Sequence, residues 1–435
     1  MSPMTLAVII TIVMIVVLFL GMPIGATLFL AGFVGIWMLY GFDVSAHVMH
    51  TEPLTSIIDG DLVAVPLFIL IGCFAMSSGL ATDGFNVARK WLNKLPGGLG
   101  ITTIVASAFF AACSGSSVAS AVTMGKLSLP EMENAGYDPA LRTGIVGAGG
   151  LLATMIPPSS TMVLYGLASG ESISKLLIGG AIPGVILTLA FCIGLVIVIK
   201  MDPKKAPMDP TNYTWAERWK ALPQAWGIVA IFGVIFVGVF TGVFTATESA
   251  AFGSLIALVL ICTKVRGKAL WKAIITACKE GADTTVSIFF IVVGAYIFST
   301  FMIMAGLPKT LTELITGADV APIVVIIIMM ASYFVLGMFL DSVSILMITI
   351  PIYYPIITAL GYDGVWFGVV TVAMKEVGML TPPFGIVAYA IGSITDVNIM
   401  TIFKGCMMYI LIEVIVVVLL IAFPQLVLWL PSMMS

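Results

Sequence analysis

Charge is what this 435-residue chain has least of: aspartate, glutamate, lysine and arginine make up 9% of it, against about a quarter of an average soluble domain. Histidine occurs only at His47 and His50, and neither has a carboxylate or cysteine partner at metal-ligand spacing. The six cysteines (73, 113, 192, 262, 278 and 406) stand singly in apolar segments, which excludes a metal or redox pair and leaves small core residues as their reading. There is no His-Glu-x-x-His, no phosphate-binding loop and no glycine-rich dinucleotide turn. No histidine lies at a depth comparable to Ser114 and its neighbours to act as base. These absences argue against an enzyme and against a nucleotide-driven pump. The net charge of −3 comes with no basic stripe, so nucleic acid is not an expected partner.

What the chain does have is apolar length. Hydrophobic residues make up 60% of it, in runs from end to end that can span a bilayer core of about 30 Å. The fold class is therefore an all-α polytopic membrane protein. A β-barrel would need alternating segments of about ten residues, which the sequence lacks. Pro23 interrupts the N-terminal run and no small-residue cleavage site follows a short basic region. A retained helix pair is expected there, not a signal peptide.

The strongest internal signal is a duplication. Met155-Ile156-Pro157-Pro158-Ser159 and Leu380-Thr381-Pro382-Pro383-Phe384 each place a proline pair inside an apolar run, and each first proline lies 21 residues after the glycine of a Gly-Tyr-Asp triplet, at 136–138 and 361–363. Phe68–Gly72 matches Phe290–Gly294, Gly79-Leu80 matches Gly306-Leu307, and Leu129-Pro130 matches Ile350-Pro351. Broken helices at matching positions in two halves point to the binding site of a secondary transporter.

Each half reads as five spans plus one re-entrant hairpin. Residues 1–200 form the first unit, with spans near 4–20, 24–40, 54–80 and 176–200, a hairpin at 101–135 and a broken helix at 139–170. Residues 224–435 form the second, with spans near 224–241, 246–263, 274–305 and 403–430, a hairpin at 321–359 and a broken helix at 363–395. Between them, 201–223 reads as a cytoplasmic amphipathic linker carrying Trp215 and Trp219. Segments 41–53 and 264–273 read as loops. Five crossings per unit is odd, so the second unit should be inverted. With both termini periplasmic, the basic linker and the basic loop 264–273 fall inside, as does most lysine and arginine, while 41–53 has none.

Few residues inside these spans can do chemistry. The first hairpin carries Ser114-Gly115-Ser116-Ser117 at its tip; three hydroxyls and a turning backbone suit a small hard cation. The carbonyls of Met155 and Ile156, freed by Pro157 and Pro158, would add oxygens. Close helix packing by small residues is the competing reading. The second hairpin carries Asp341-Ser342 at the equivalent place. A carboxylate at that depth is a functional candidate, and Leu380 and Thr381 at the second break would complete its site, unless Asp341 is simply protonated or solvated. Lys375 and Glu376 lie in the second broken span. Neighbours on a helix do not face each other, so a simple internal pair is not expected. Lys375, the one cation at depth, would meet an anionic substrate or pair with another helix. Ser159, Pro157 and Pro382 are further candidates for the cavity wall. Glu248 reads as a helix cap, and Asp83, Glu131 and Glu133 as interfacial charges.

The stretch Phe109–Ser120, Gly147-Ala148-Gly149-Gly150, Ile156–Ser159, Gly242–Glu248 and Glu376–Pro383 together resemble the large membrane subunit of tripartite ATP-independent periplasmic (TRAP) transporters, over essentially the whole chain. That resemblance implies an ion-transporter-superfamily elevator architecture in the bacterial inner membrane. It implies sodium-coupled import of an organic acid, sialic acid or a C4-dicarboxylate, with Na+ as the coupling ion. It also implies two partners, a small four-helix membrane subunit and a periplasmic substrate-binding protein, within membrane lipid. By motif position, one sodium site would use Ser114, Ser116 and Ser117 with the 155–159 break, and the other Asp341, Ser342 and Thr381. A binding-protein-independent symporter of the same superfamily stays open. A channel is disfavoured by two discrete paired breaks where rings along one pore would be needed.

Overall fold

The computed structural model describes residues 2–58, 60–209, 211–317 and 320–434, and these form helices without any strand. The first half contains α1 (Pro3–Phe19), α2 (Ile24–Tyr40), α3 (Phe42–Ile58), α4 (Ala64–Ser77), α5 (Leu80–Leu92), α6 (Gly98–Ser114), α7 (Ser117–Asn134), α8 (Pro139–Met155), α9 (Ser160–Ser169), α10 (Ile173–Gly179) and α11 (Ala181–Met201). After the short α12 (Trp215–Ala221) come α13 (Trp226–Phe240), α14 (Ala246–Lys264), α15 (Lys268–Met304), α16 (Leu307–Gly317), α17 (Pro322–Gly337), α18 (Ser342–Ala359), α19 (Gly364–Leu380), α20 (Ile386–Gly392), α21 (Ile399–Ala422) and α22 (Gln425–Leu428).

The halves share matching local elements around the hairpins and breaks, and local chemistry explains why. Each Gly-Tyr-Asp triplet is a helix stop followed by a helix start. Gly136 and Gly361 take φ of +78° and +79° after α7 and α18, a conformation that costs a glycine little. Asp138 and Asp363 then accept hydrogen bonds from Leu141 N at 3.0 Å and Trp366 N at 2.9 Å, capping α8 and α19. Both proline pairs carry cis peptide bonds and lie where α8 gives way to α9 and α19 to α20.

Packing is reciprocal as well. The long α15 lies on α2, and α4 lies on α14; α18 packs on α9, and α7 on α20. Each unit therefore completes the other, as two copies of one fold would. Small residues permit the closest approach: a Cβ added at Gly32 would stand 2.8 Å from the backbone of Ile297, and one at Gly294 would stand 2.5 Å from the Gly25 carbonyl.

Three features differ from the expected span map. Segment 41–53 is not a loop: from Phe42 onward it lies in α3, which continues to Ile58 with Pro53 inside it. Its equivalent in the second half is the beginning of α15, which covers most of the expected loop 264–273 and runs unbroken for 37 residues, about 55 Å at 1.5 Å per residue. The span placed at 54–80 breaks in two, and α4 begins only at Ala64. Two strongly amphipathic helices, α5 and α16, follow the left-handed glycines Gly79 and Gly306. Apolar run length does not reveal them, because one face of each is polar.

Linker 201–223 is held to α5. Arg89 bridges Glu131 at 3.0 Å and Asp209 at 3.2 Å, Asn93 donates to the Thr211 carbonyl at 2.5 Å, and Trp91 meets Trp215 and Trp219 edge-on. Glu248 does cap a helix: it forms a capping box with Thr245 at the start of α14.

Candidate functional site

The first hairpin, α6–α7, turns at Gly115, whose φ is +61°. Its tip is held from within by a Ser114 hydroxyl donating to the Ser116 carbonyl at 3.3 Å, and by Ser116 Oγ accepting from Ala119 N at 3.4 Å. From outside, the Ser160 hydroxyl at the start of α9 donates to the Gly115 carbonyl at 2.8 Å. The Pro158 carbonyl also faces Gly115, 3.4 Å from where a Cβ would stand. A hairpin tip and a helix break are thus in direct contact.

The second hairpin, α17–α18, turns over Met338–Leu340. Asp341 caps α18: its carboxylate accepts from Val343 N at 2.9 Å, from Ser344 N at 3.2 Å and from the Ser344 hydroxyl. Ser342 Oγ accepts from Lys375 Nζ at 2.8 Å and lies 3.2 Å from Glu376 Oε1. Thr381 donates to the Val377 carbonyl at 2.6 Å.

Both tips open on one cavity of about 340 Å³, lined by Ser114–Ala119, Thr154, Ser160 and Thr161 on one side and by Asp341–Val343 and Met379 on the other. Its third wall comes from α4 and α15, through Gly72, Cys73, Met76, Thr284, Ser287 and Ile291 among others. Asp341 is the only acidic or basic side chain among the described lining residues. A lone carboxylate facing hydroxyls and turning backbone is a donor set for a hard cation, because it supplies oxygens and one negative charge.

Other residues singled out from sequence fall elsewhere. Lys375 and Glu376 are fully buried and do not line the cavity. They do meet each other: Lys375 Nζ bonds to Glu376 Oε1, although neighbours on a helix point apart. Both side chains are long enough to converge on Ser342 of the adjacent hairpin, and that shared partner overrides the helical geometry. Ser159 is buried and caps α9 through Met162 N. Pro157 and Ile156 line a separate apolar cavity of about 600 Å³ between α6, α11 and α13. The Met155 carbonyl lies against Gly180, within 2.6 Å of an added Cβ there. Leu380 packs on α8 at Gly147, and Pro382 is outside the cavity wall between the tips.

One residue escaped sequence reading. Glu413 on α21 is fully buried, and neither carboxylate oxygen has a hydrogen-bond partner. Its signal was present: it is the only charge in the run from Cys406 to Leu430, and an ionisable group inside such a run is a candidate by default.

Paired hairpins and broken helices around a cavity that carries hydroxyls and one carboxylate, inside an apolar helical protein, define a membrane transporter. A family model described as "Tripartite ATP-independent periplasmic transporter, DctM component" matches residues 11–426, and the chain belongs to that family as its large permease subunit. It is accordingly a multi-pass membrane transport protein and not an enzyme. The sialic acid TRAP transporter large permease protein SiaM of Vibrio cholerae is 31% identical over 416 residues, 96% of each chain. The ectoine/5-hydroxyectoine large permease protein UehC of Ruegeria pomeroyi is 32% identical over 419 residues, again 96% of each. The C4-dicarboxylate large permease protein DctM of Vibrio cholerae is 28% identical, covering 97% of both chains. Among solved structures, the YdaH transporter of Alcanivorax borkumensis superposes with a TM-score of 0.64 over 88% of this chain and 90% of its own, at 12% identity, a likeness of fold.

Proposed function

We propose that this subunit carries a small organic acid across the bacterial inner membrane, coupled to sodium, after delivery by a periplasmic binding protein and alongside a small four-helix membrane subunit. The observation that carries this reading is the meeting of both hairpin tips in one cavity with Asp341 as the only charge among its described lining residues. One sodium ion would sit at Ser114, Ser116 and Ser117 against the 155–159 break. The Pro158 carbonyl, which faces Gly115, would add a backbone oxygen there. A second would sit at Asp341 and Ser342, beside Thr381 and Leu380. Sodium at Asp341 neutralises the cavity's one negative charge, so a carboxylate can enter. The hairpins and broken helices would then slide as an elevator against a scaffold built from α2, α4, α14 and α15, with both chain termini periplasmic.

Sialic acid and C4-dicarboxylates are the substrate classes named for SiaM and DctM, and ectoine is the one named for UehC. Uptake of radiolabelled sialic acid, succinate and ectoine into proteoliposomes holding both membrane subunits, with and without binding protein and an inward sodium gradient, tests the reading. Uptake that needs both supports it, and the preferred label assigns the substrate. Uptake without the binding protein makes the chain a self-sufficient symporter, and uptake indifferent to sodium removes the cation sites.

A further inference from the structure

Ser342 is claimed twice. It belongs to the proposed second sodium site, yet its hydroxyl already accepts the ammonium of Lys375 at 2.8 Å, and that ammonium also bonds to Glu376. Both side chains are fully buried. A sodium ion on the same hydroxyl would stand within a few ångströms of Nζ, and two cations so close in a weakly screened interior repel strongly. The ammonium therefore has to leave when sodium arrives, and it needs somewhere to go.

Glu413 supplies that place. It is fully buried on α21, which packs against α19, and both its oxygens lack a hydrogen-bond partner. Lys375 and Glu376 are buried on α19, the helix that α21 packs against, and both act electrostatically on its carboxyl. Cys192 of α11 and Tyr137, just ahead of α8, instead lie near Tyr409, one turn earlier. A carboxylate left alone at this depth is costly, and an arriving ammonium is the group that would satisfy it.

We propose that Lys375 is a tethered competitor for the second sodium site: its ammonium rests on Ser342 while the site is empty and withdraws onto Glu413 when sodium enters. The inference rests on the sodium reading above and adds a residue that sets the affinity of one of its two sites. The empty carrier then keeps the ammonium of the Lys375–Glu376 pair on Ser342, and sodium binds there only by displacing it.

The test is a sodium titration by calorimetry, with the chain and its small subunit together in lipid nanodiscs. The paired variant Lys375→Met/Glu376→Gln removes the competitor while keeping the pair neutral, and should tighten the weaker sodium event about tenfold or more. Adding Asp341→Asn should abolish that gain, and Glu413→Gln alone should weaken the same event by removing the ammonium's refuge. Unchanged sodium affinity in the folded paired variant overturns the proposal and leaves Lys375–Glu376 a structural ion pair. Electron cryomicroscopy of the wild-type complex with and without sodium tests the same displacement without substitutions: Lys375 on Ser342 in both states overturns it, and Lys375 on Glu413 only with sodium supports it. Sodium heat absent from wild type and every variant overturns the sodium reading itself, a result distinct from sodium binding without competition.

Discussion

The hydroxyl of Ser160 donates to the carbonyl of Gly115 across 2.8 Å, and so ties the break between α8 and α9 to the tip of the first hairpin. Gly115 is the sensitive half of this contact. It holds a φ of +61°, and an added Cβ would come within 3.1 Å of Ser160 N. Gly115→Ala therefore meets both backbone strain, on the order of 1 kcal/mol, and a tight approach to Ser160 N at the start of α9, which has to give by a few tenths of an ångström. We expect sodium-driven uptake to fall by an order of magnitude or more with the protein still folded. Uptake and a size-exclusion profile of the same preparation check this, and near wild-type uptake would remove the tip–break contact from the mechanism.

Asp341 has two jobs that substitutions separate. As the cap of α18 it accepts from Val343 N and Ser344 N, and Asp341→Ala should cost about 0.5–2 kcal/mol of stability. Asp341→Asn keeps an acceptor for the cap but removes the charge. We expect Asn to leave thermal stability close to wild type while shifting the sodium dependence of uptake to much higher concentration. A sodium dependence unchanged in Asp341→Asn shows that the second site lies elsewhere.

At the α2–α15 contact there is no room for side chains. A Cβ at Gly32 would lie 2.8 Å from Ile297 backbone, and one at Gly25 2.9 Å from the Phe290 carbonyl. Gly32→Val should therefore destabilise the purified subunit by about 1–3 kcal/mol, read as a lower unfolding midpoint. The same substitution at Gly233, where nothing lies within 4 Å, should leave the midpoint nearly unchanged.

Docking of the linker should depend on pH in one direction only. Burial by itself raises the Asp209 carboxyl, but hydrogen bonds from Thr211 and the Arg89 guanidinium more than offset it and hold the group below the usual carboxylate range. Because the folded value is depressed, the stabilisation is complete above the ordinary carboxylate pKa and is lost as pH falls through the folded value. The linker should resist limited proteolysis equally from pH 5 to pH 8 and open only in stronger acid. Asp209→Asn should open it at neutral pH, at a cost of about 1 kcal/mol.

Much of the fold was legible because its signals are local. Apolar runs mark spans, a left-handed glycine ends a helix, an aspartate two residues later starts the next, and a proline pair breaks one. Gly136–Asp138 and Gly361–Asp363 show all of this within three residues each. The candidate cation residues at both tips were legible for the same reason, since hydroxyls and a carboxylate inside an apolar run stand out. Helices α3, α5 and α16 were missed because a polar or proline-containing stretch shorter than a span gives no run to detect. Pro157, Ser159 and Pro382 lie outside the wall of the cavity between the tips, because a break in a helix does not say which way its groups face.

Thus the amino-acid order alone determines that the chain is a helical membrane protein, that helices break at the two proline pairs, and which oxygens sit at the two tips. These follow from backbone sterics and from the solvation of side chains within a few residues of one another. Only the tertiary arrangement decides that Ser114 and Asp341 share a cavity, that Lys375 bends to Glu376 through Ser342, and that Glu413 is buried on the helix packed against theirs. Those contacts join α6, α18, α19 and α21, far apart along the chain, and their geometry is set by how whole helices pack. No local pattern carries that information.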